Sequence, residues 1–278
     1  MIENPLEYPQ NNRLLEEFER HYLLEKRLPA HERLVKLAGA FSRLPYENLS
    51  KIIKLAEEGS PQRARRVPRQ VLTEHFRLGT GGTCFSLTAA LLYLVRSLGF
   101  EARPILADRR YGPDTHCALI IEFLGSWKLL DPGYLLDRPV ELPRDYPLEI
   151  DTPFNRILLA PRDQGRRVDL FVLTCGRRSY RLTFKVEPVD DGQFLRAWDN
   201  SFFWEMMSYP VVSRVAGGRQ LYLQGNRWQV RDQKGAERRE LDPAQLALHL
   251  YQHFGIAPEL AARALEIIKK GGNLHGPA

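Results

Sequence analysis

The chain has 278 residues, of which 44% are hydrophobic and 27% are charged. These fractions are ordinary for a globular protein, so they exclude a disordered, collagen-like or coiled-coil chain. The longest obvious apolar run, Ala89 to Val95, is much shorter than the roughly 18 residues that read as a membrane span. The polar start, Met1 to Arg13, lacks the apolar stretch of a secretory signal. The sequence therefore predicts a cytoplasmic protein that has no membrane partner.

The formal net charge is +6, and the basic residues are spread through the chain. A local cluster of Arg63, Arg65, Arg66 and Arg69 lies beside two prolines, which favours a solvated loop. No helix-turn-helix or aromatic-sheet motif accompanies this cluster, so a nucleic-acid partner is not predicted. Three cysteines are too few for a disulfide framework, and their spacing does not match a zinc site. No metal is expected.

Helical periodicity dominates the first hundred residues. Apolar residues recur at helical spacing from Leu14 to Leu55, which predicts a small bundle of helices. Proline and glycine interrupt the pattern between Gly59 and Pro68. A second turn signal, Gly79 to Gly82, precedes a helical run from Phe85 to Leu98, and Gly99 is the expected C-terminal cap of that helix.

Short apolar segments separated by turn residues follow Gly99, and they predict strands. The predicted strands of this middle part are Ala102 to Ala107, Cys117 to Phe123, Trp127 to Asp131, Arg156 to Leu159, Val168 to Thr174 and Tyr180 to Glu187. They indicate a β-rich domain or barrel. A last unit has predicted strands near Gln220 to Leu223 and Arg227 to Arg231, followed by a helix from Pro243 to Phe254.

Cys84 follows the sequence Gly81-Gly82-Thr83 and begins a strongly apolar helix. Unpaired amides at a helix N-terminus stabilise a thiolate, so this position lowers the pKa of a thiol. The same amides, from Gly82 to Phe85, can hold a developing oxyanion. The alternative is a cysteine that packs as a small hydrophobe. Cys117 and Cys175 are interpreted in that second way, because both lie inside strand-like apolar runs.

His116 is the histidine best placed to activate this cysteine, because it begins a predicted strand just after the turn Gly112-Pro113-Asp114. Asp131 ends the next predicted strand. The two ends of an antiparallel hairpin come together, so the carboxylate can orient the imidazole and stabilise its cation. A satisfied histidine and an ordinary Asp-Pro-Gly turn are the simpler interpretations of each residue alone. Together with Cys84 they form an arrangement typical of nucleophilic catalysis.

Four motifs of the sequence resemble those of the arylamine N-acetyltransferases, whose core is similar to that of transglutaminases and papain-like cysteine proteases. The order and spacing of the motifs also match, and the resemblance covers nearly the whole chain. The motifs are Pro45-Tyr46-Glu47-Asn48-Leu49, Gly81-Gly82-Thr83-Cys84-Phe85, Thr115-His116 and Leu130-Asp131-Pro132-Gly133-Tyr134. The stretch from Val211 to Leu241 resembles the strands of the family's C-terminal lid.

The resemblance implies an α+β fold with an N-terminal helical bundle, a central β-barrel and a C-terminal α/β lid. The expected boundaries are residues 1–85 for the bundle, which carries the nucleophile motif at its end, 86–195 for the barrel and 196–278 for the lid. It also implies that Cys84, His116 and Asp131 form a catalytic triad.

Further site residues are expected around this triad. The expected cofactor-binding residues are Thr115, Gly133 and Tyr134, and the expected oxyanion and nucleophile loop consists of Gly81, Gly82, Thr83 and Phe85. The expected substrate pocket contains Tyr46, Leu135, Phe203 and Trp204. The last two belong to an aromatic-rich stretch from Trp198 to Tyr209, for which core packing is the alternative interpretation.

The chain departs from the family pattern at three positions. Thr80 replaces an arginine and Ser86 replaces a glutamate, so both members of an ion pair are absent together. Loss of both partners of an ion pair can leave the stability nearly unchanged, whereas loss of one partner leaves the other charge unpaired. We therefore expect that the missing pair is structural and that the triad survives. Leu135 replaces a glycine and is predicted to narrow the cleft that admits the acyl donor.

The resemblance implies an acyltransferase that moves an acetyl or other acyl group from a coenzyme A thioester to an arylamine, hydrazine or similar acceptor. The reaction would be ping-pong, through a Cys84 acyl-enzyme. No tightly bound cofactor is expected, and acetyl-CoA or another acyl-CoA would be the co-substrate. The expected partners are these small molecules. The sequence does not decide whether the chain forms a homo-oligomer.

Three alternatives use the same sequence features. The first is an amide synthase with a larger or carrier-bound acyl donor. The second is a transglutaminase-like or protease-like amidase on the same triad. The third is a non-catalytic homologue that binds a ligand in a vestigial cleft.

Overall fold

The computed structural model describes residues 3–134, 136–174 and 177–271, so Leu135 and Cys175 lie outside the described residues. The helices are α1 (Arg13–His21), α2 (Ala30–Phe41), α3 (Leu49–Glu58), α4 (Pro61–Ala64), α5 (Pro68–Leu78), α6 (Cys84–Ser97), α7 (Asp191–Asn200), α8 (Leu246–Phe254) and α9 (Pro258–Lys270). The strands are β1 (Tyr46–Glu47), β2 (Ala102–Arg109), β3 (Gly112–Phe123), β4 (Ser126–Leu130), β5 (Val140–Glu141), β6 (Leu148–Asp151), β7 (Arg156–Arg162), β8 (Arg167–Thr174), β9 (Arg177–Lys185), β10 (Val211–Ala216), β11 (Arg219–Gln224), β12 (Arg227–Asp232) and β13 (Gly235–Glu240).

The N-terminal helices pack around α6. This helix is buried on nearly every side because its sequence is apolar in every direction, with Phe85, Leu91 and Val95 among its buried residues. Gly99 follows it with a φ of +87°, a left-handed conformation that suits glycine at a helix end. The predicted bundle and the predicted helix from Phe85 to Leu98 are confirmed. Within the described ranges, no helix has both the length and the apolar character that a membrane crossing requires.

The middle of the chain forms an antiparallel eight-stranded sheet in the order β5-β4-β3-β2-β9-β8-β7-β6. The sheet curls into a nearly closed barrel. Its interior is a separate hydrophobic core, in which Ile105, Ile157, Leu170 and Phe184 are all fully buried. Along β7 buried residues alternate with more exposed ones, the period-two pattern of a sheet with one face in the core, whereas β2 and β3 contain continuous buried runs because both of their faces are covered. The predicted β-barrel is therefore confirmed.

The C-terminal lid is a five-stranded antiparallel sheet in the order β1-β10-β11-β12-β13. Helices α8 and α9 cover this sheet, and Trp228, Leu250 and Phe254 pack in the core between them. Strand β1 comes from the Pro45 to Leu49 motif and pairs with β10, so the lid sheet is joined directly to the N-terminal segment. The architecture is α+β, as predicted; the boundaries at residues 85 and 195 stay predictions.

Candidate active site

The hairpin of β3 and β4 brings His116 and Asp131 together. In this hairpin Leu119 lies opposite Leu130, so His116 within β3 and Asp131 just after β4 lie beyond the last pair, at the end away from the turn. The prediction that the strand begins at His116 is wrong, because pairing with β2 extends β3 back to Gly112. His116 Nε2 lies 2.7 Å from Asp131 Oδ2, and both side chains are fully buried. The second carboxylate oxygen accepts a hydrogen bond from the Tyr134 amide at 2.8 Å. Both oxygens of Asp131 are thus engaged, which holds the carboxylate in one orientation.

Cys84 is the first residue of α6, and it meets His116 at Gly133. A methyl group built on Gly133 would stand 2.9 Å from Cys84 Cβ and 2.9 Å from His116 Cε1, so no side chain fits between the thiol and the imidazole. Cys84 is fully buried. The structure therefore brings Cys84, His116 and Asp131 into one cluster, as the sequence predicts. Gly133 is required to be glycine by this close approach.

The two glycines before Cys84 allow close backbone packing. A Cβ atom at Gly81 would lie 1.8 Å from the Pro45 carbonyl oxygen, and one at Gly82 would lie 2.2 Å from Ser86 Oγ. The Gly82 amide donates a hydrogen bond to the Pro45 carbonyl oxygen at 3.3 Å. In this conformation the Gly82 amide proton is therefore already engaged, and the contribution of Gly82 to an oxyanion hole stays a prediction.

The amides of Cys84 and Phe85 are better placed to hold an oxyanion. Both belong to the first turn of α6, where amides have no acceptor within the helix. The Thr83 side chain precedes this turn but does not cap it. The first turn of α6 therefore offers its amide protons and its positive dipole end to the atoms around the thiol.

The surroundings of Cys84 favour its thiolate. A hydrogen bond from Cys117 is the largest cause of a pKa well below that of an ordinary thiol, and it opposes the desolvation of the buried sulfur. The hydrogen bond and charge of His116 and the charge of Arg109 lower this pKa further. Burial by itself lowers the pKa of His116, but the charge and hydrogen bond of Asp131 outweigh burial, and the net pKa is raised. Both pKa directions favour transfer of the Cys84 proton to His116.

Cys117 is a neighbour of the candidate nucleophile that sequence reasoning treated only as packing. It is fully buried, and its Sγ lies 3.4 Å from Thr88 Oγ1 on α6. Burial, followed by the nearby Cys84, raises the pKa of the Cys117 thiol well above its usual range. Cys117 therefore keeps its proton and can donate it to the Cys84 thiolate.

Arg109 is the second residue of the site that the sequence did not single out. Its Nη2 donates a hydrogen bond to His116 Nδ1 at 2.9 Å, and its Nη1 donates to Tyr111 Oη at 2.8 Å. Because Nδ1 accepts this bond, the imidazole proton lies on Nε2, towards Asp131. A bulge in β2 between Ala107 and Arg109 sets the direction of this side chain, and a bulge depends on strand pairing.

A cleft of about 760 Å³ opens between the barrel sheet and the lid. Among the expected site residues, Tyr46, Gly133, Tyr134 and Trp204 line it. Phe203 does not; its side chain is 48% exposed at the surface, because the short helical turn at Ser201–Phe203 directs it outward. The expectation for Phe203 is therefore corrected.

Two other expected site residues make structural contacts. Thr115 is buried, and its hydroxyl donates to the Gly112 carbonyl oxygen and accepts from the Arg109 amide. It therefore stabilises the turn that precedes His116. Phe85 is fully buried in the core, with its ring 6.1 Å from that of Trp198, and it can reach the site only through its backbone amide.

Arg66 is buried beneath the nucleophile loop, so the interpretation of its cluster as a solvated loop is wrong at this residue. Its side chain is 3% exposed. Nη1 donates to the Gly81 carbonyl oxygen at 2.6 Å and to Ser50 Oγ at 2.7 Å, whereas Nη2 donates to Glu74 at 2.6 Å. The carboxylate of Glu47 lies 3.6 Å away. A buried arginine from another segment thus supports the loop in a chain that has Thr80 and Ser86 in place of the family's ion pair.

His75 connects Tyr22, the residue after α1, to the same loop. Its Nε2 lies 2.6 Å from Tyr22 Oη, and its Nδ1 lies 2.7 Å from the Thr80 carbonyl oxygen. This carbonyl can only accept, so Nδ1 carries the proton and the neutral imidazole accepts the Tyr22 hydroxyl at Nε2. Burial lowers the pKa of His75 from 6.5 to about 4.

We expect the contribution of His75 to stability to be complete above pH 6.5 and to be lost as the pH falls to about 4. The folded state resists protonation of His75 more than the unfolded chain does, so acid favours unfolding. The loss over this range is about 3 kcal/mol. Urea unfolding between pH 7 and pH 4 measures it. The variant His75→Gln should show a smaller loss across this range, whereas His31→Gln, at an exposed position, should retain the loss of the unmodified protein.

Comparison with solved structures identifies the fold. The arylamine N-acetyltransferase from Mycobacterium abscessus matches with a TM-score of 0.76 and 20% identity over 92% of this chain and 94% of that chain. The Mycobacterium tuberculosis enzyme matches with a TM-score of 0.75 and 20% identity, over 92% and 99%. The Mycobacterium marinum enzyme in complex with CoA matches with a TM-score of 0.72 and 18% identity, over 92% and 98%.

Comparisons of the sequence itself find no such likeness: no protein-family model matches the chain, and no curated protein matches it significantly. The identification therefore depends on the three-dimensional arrangement of the bundle, the barrel and the lid. These structural matches identify the fold of the chain as that of the arylamine N-acetyltransferases.

Proposed function

We propose that the protein is an acyltransferase that works through an acyl-enzyme on Cys84. The observation that supports this most directly is the contact of His116 with Asp131 beside a cysteine at the start of a buried helix. A nucleophile, a base and a group that orients the base are the three parts of covalent acyl transfer. They occur here in a fold whose solved members are named arylamine N-acetyltransferases.

The first half-reaction forms a thioester on Cys84. The Cys84 proton goes to His116 Nδ1, and the sulfur attacks the carbonyl carbon of an acyl thioester. The amides of Cys84 and Phe85 hold the oxyanion of the tetrahedral intermediate. The carbon–sulfur bond to the donor then breaks, and His116 returns its proton to the departing thiolate. Asp131 keeps the imidazole oriented and stabilises its cation.

The second half-reaction moves the acyl group to an amine. The amine nitrogen attacks the acyl carbon on Cys84, while His116 accepts a proton from that nitrogen. The bond from carbon to Cys84 Sγ breaks, and the sulfur leaves as the thiolate that the site stabilises. The acceptor therefore needs a nucleophilic nitrogen, and the aromatic side chains of the cleft, such as Trp204 and Tyr134, suit a flat ring.

Transfer of the Cys84 proton to His116 requires Arg109 to move. Arg109 occupies His116 Nδ1, the atom that must take the thiol proton. Cys84 itself has no exposed surface, whereas Arg109 and Gly133 line the cleft beside it. A shift of this guanidinium therefore frees the base.

The donor that we propose is acetyl-CoA or another acyl-CoA. One solved structure with this fold, that of the Mycobacterium marinum enzyme, is a complex with CoA. The net charge of +6 suits a ligand that carries phosphates. The co-substrate binds only for the first half-reaction and leaves as the free thiol.

Mass spectrometry of the intact protein after brief incubation with separate donors tests this proposal. Acetyl-CoA is expected to add one acetyl group, which peptide mapping should place on Cys84, and an arylamine should then remove it. Labelling by a carrier-bound acyl chain alone would instead indicate an amide synthase, and labelling by a peptide amide would indicate an amidase. An unlabelled Cys84 that iodoacetamide alkylates no faster than a free thiol would contradict every one of these activities.

A further inference from the structure

A second cavity lies on the other side of the strand pair β1–β10 from the active-site cleft. In this pair Tyr46 lies opposite Ser213, and both residues line the cleft. Their chain neighbours Pro45 and Arg214 instead line a cavity of about 550 Å³. Successive residues of a strand point to opposite faces, so the two cavities are separate. Residues of both the N-terminal bundle and the lid line the second cavity.

Three arginines from three segments contribute to its walls. Arg43 lies just after α2, Arg77 lies in the last turn of α5, and Arg214 lies on β10 of the lid. Among the residues that the structure describes, no carboxylate lies at ion-pair distance from any of these guanidinium groups. Arginine does not lose its proton in proteins, so all three are cations. The fold therefore gathers three positive charges that it does not neutralise by direct contact.

Arg214 also has a hydrogen-bond donor that the protein leaves unused. Its Nη1 donates to the Phe254 carbonyl oxygen at 3.1 Å. Its Nε is buried and, within the described parts of the chain, has no acceptor. A buried donor without a partner is costly, and native proteins contain few of them. An oxygen atom of a bound anion is an acceptor of the kind that this donor lacks.

The remaining charges at the cavity set the charge of the ligand that it suits. Glu259 is the one carboxylate among the described lining residues; it is exposed and lies in the first turn of α9. His75 also lines the cavity, and burial lowers its pKa to about 4, so it is neutral at pH 7. Three guanidinium groups opposite one carboxylate suit a ligand with about two negative charges, which a phosphate group carries at pH 7.

The shape of the cavity admits more than a bare ion. Guanidinium groups bind phosphate oxygens in two-pronged pairs, so the arginines suit the phosphate itself. Tyr22, Phe76 and Tyr251 add aromatic surface to the walls. An organic group attached to the phosphate therefore has an apolar surface to pack against.

We propose that this second cavity is a phosphate-binding site, in which Arg43, Arg77 and Arg214 hold the phosphate group of inorganic phosphate or of a small phosphomonoester. The ligand contacts the bundle through Arg43 and Arg77 and the lid through Arg214, so its binding joins these two parts of the fold. The site contains none of the triad residues, and the proposal does not depend on acyl transfer.

Titration calorimetry of the full-length protein at constant ionic strength tests the proposal, with inorganic phosphate and phenyl phosphate as the two probes. We expect saturable binding with a Kd of about 1 mM or lower. Arg43→Gln and Arg77→Gln should each raise the Kd about tenfold or more, because each removes a charge-assisted contact. Both side chains are exposed, so these variants should fold. Glu259→Gln should lower the Kd, because it removes an opposing charge.

The two probes distinguish the sources of the phosphate group. A lower Kd for phenyl phosphate than for inorganic phosphate assigns the site to a phosphomonoester, and equal Kd values assign it to the free ion. Either result supports the site, provided that the arginine variants weaken the binding.

Two control variants remove the same charge elsewhere. Arg20 is exposed and precedes His21, a lining residue, but does not itself line the cavity, whereas Arg231 lines the active-site cleft. Arg20→Gln and Arg231→Gln should retain the Kd of the unmodified protein. Phosphate should also raise the Tm of the unmodified protein and of both controls, since a ligand that binds only the folded state stabilises it, and it should raise the Tm of Arg77→Gln less.

Three results would overturn the proposal. One is the absence of saturable binding of either probe. Another is a Kd that Arg231→Gln raises and Arg77→Gln does not, which would place the phosphate in the active-site cleft. The third is an equal increase in Kd for Arg20→Gln and Arg77→Gln, which would indicate a general effect of net charge rather than a site.

Discussion

Replacement of Cys84 by alanine is expected to abolish acyl transfer while it leaves the fold intact. The sulfur is the atom that carries the acyl group in the proposed mechanism, and no other described group in the cluster can replace it. Removal of a nucleophile from a comparable catalytic cluster lowers kcat on the order of 10⁶-fold. Steady-state transfer from acetyl-CoA to an arylamine measures the loss, and thermal unfolding reports whether the fold is retained.

Cys117→Ala is the matched control, because Cys117 is a second buried thiol next to the first. This variant should still form an acyl-enzyme on Cys84. Because Cys117 is the largest cause of the lowered pKa of Cys84, its removal should shift the pH profile of Cys84 alkylation by iodoacetamide towards higher pH. Full transfer activity in Cys84→Ala, or an acyl group mapped to Cys117, would contradict the mechanism.

Replacement of Arg66 by methionine is expected to lower the free energy of unfolding by about 3–5 kcal/mol. The change removes the partner of two buried acceptors, the Gly81 carbonyl oxygen and Ser50 Oγ, and it leaves the fully buried carboxylate of Glu47 without its cation. A buried charge or acceptor without a partner is costly, since water cannot replace the lost contact. Urea unfolding at pH 7 measures the effect.

Two further variants distinguish loss of the buried network from loss of any arginine. Arg69→Met removes an exposed arginine three residues along the same segment, and it should change stability by no more than about 0.5 kcal/mol. The double variant Arg66→Met/Glu47→Gln should recover part of the loss, because the amide carries no charge. Equal effects of Arg66→Met and Arg69→Met would show that the buried network does not stabilise the protein.

The helices and strands with regular apolar patterns were predictable from the sequence, because their periodicity reflects one buried face. The helix that begins near Cys84 and the strands that contain Cys117 and Leu170 are examples. Short edge strands such as β5 and β6 were not predicted, because two or four residues carry too little pattern. Helix α9 was not predicted either, although Pro258 at its first position is a signal for a helix start.

The three chemical members of the candidate site were predictable because each lies beside a local signal in the sequence: two glycines before Cys84, Gly112-Pro113-Asp114 before His116 and Pro132-Gly133 after Asp131. The supporting residues were not. The contacts of Arg66, Arg109 and Cys117 with the site depend on how helices and strands pack, and the sequence around each also fits a solvated loop, a surface strand or an ordinary core position. The sequence does not distinguish a basic side chain that is exposed from one that is buried against a carbonyl oxygen.

By itself, the sequence determined the order of helical and strand segments, a cysteine at the start of a helix, and a histidine and an aspartate on two consecutive strand segments. Tertiary structure alone decided the strand register that places His116 against Asp131, the bulge that directs Arg109 to the imidazole and the burial of Arg66 beneath Gly81. The physical reason is that periodicity and turn chemistry act over a few residues, whereas these contacts join segments that meet only when the bundle, the barrel and the lid have packed.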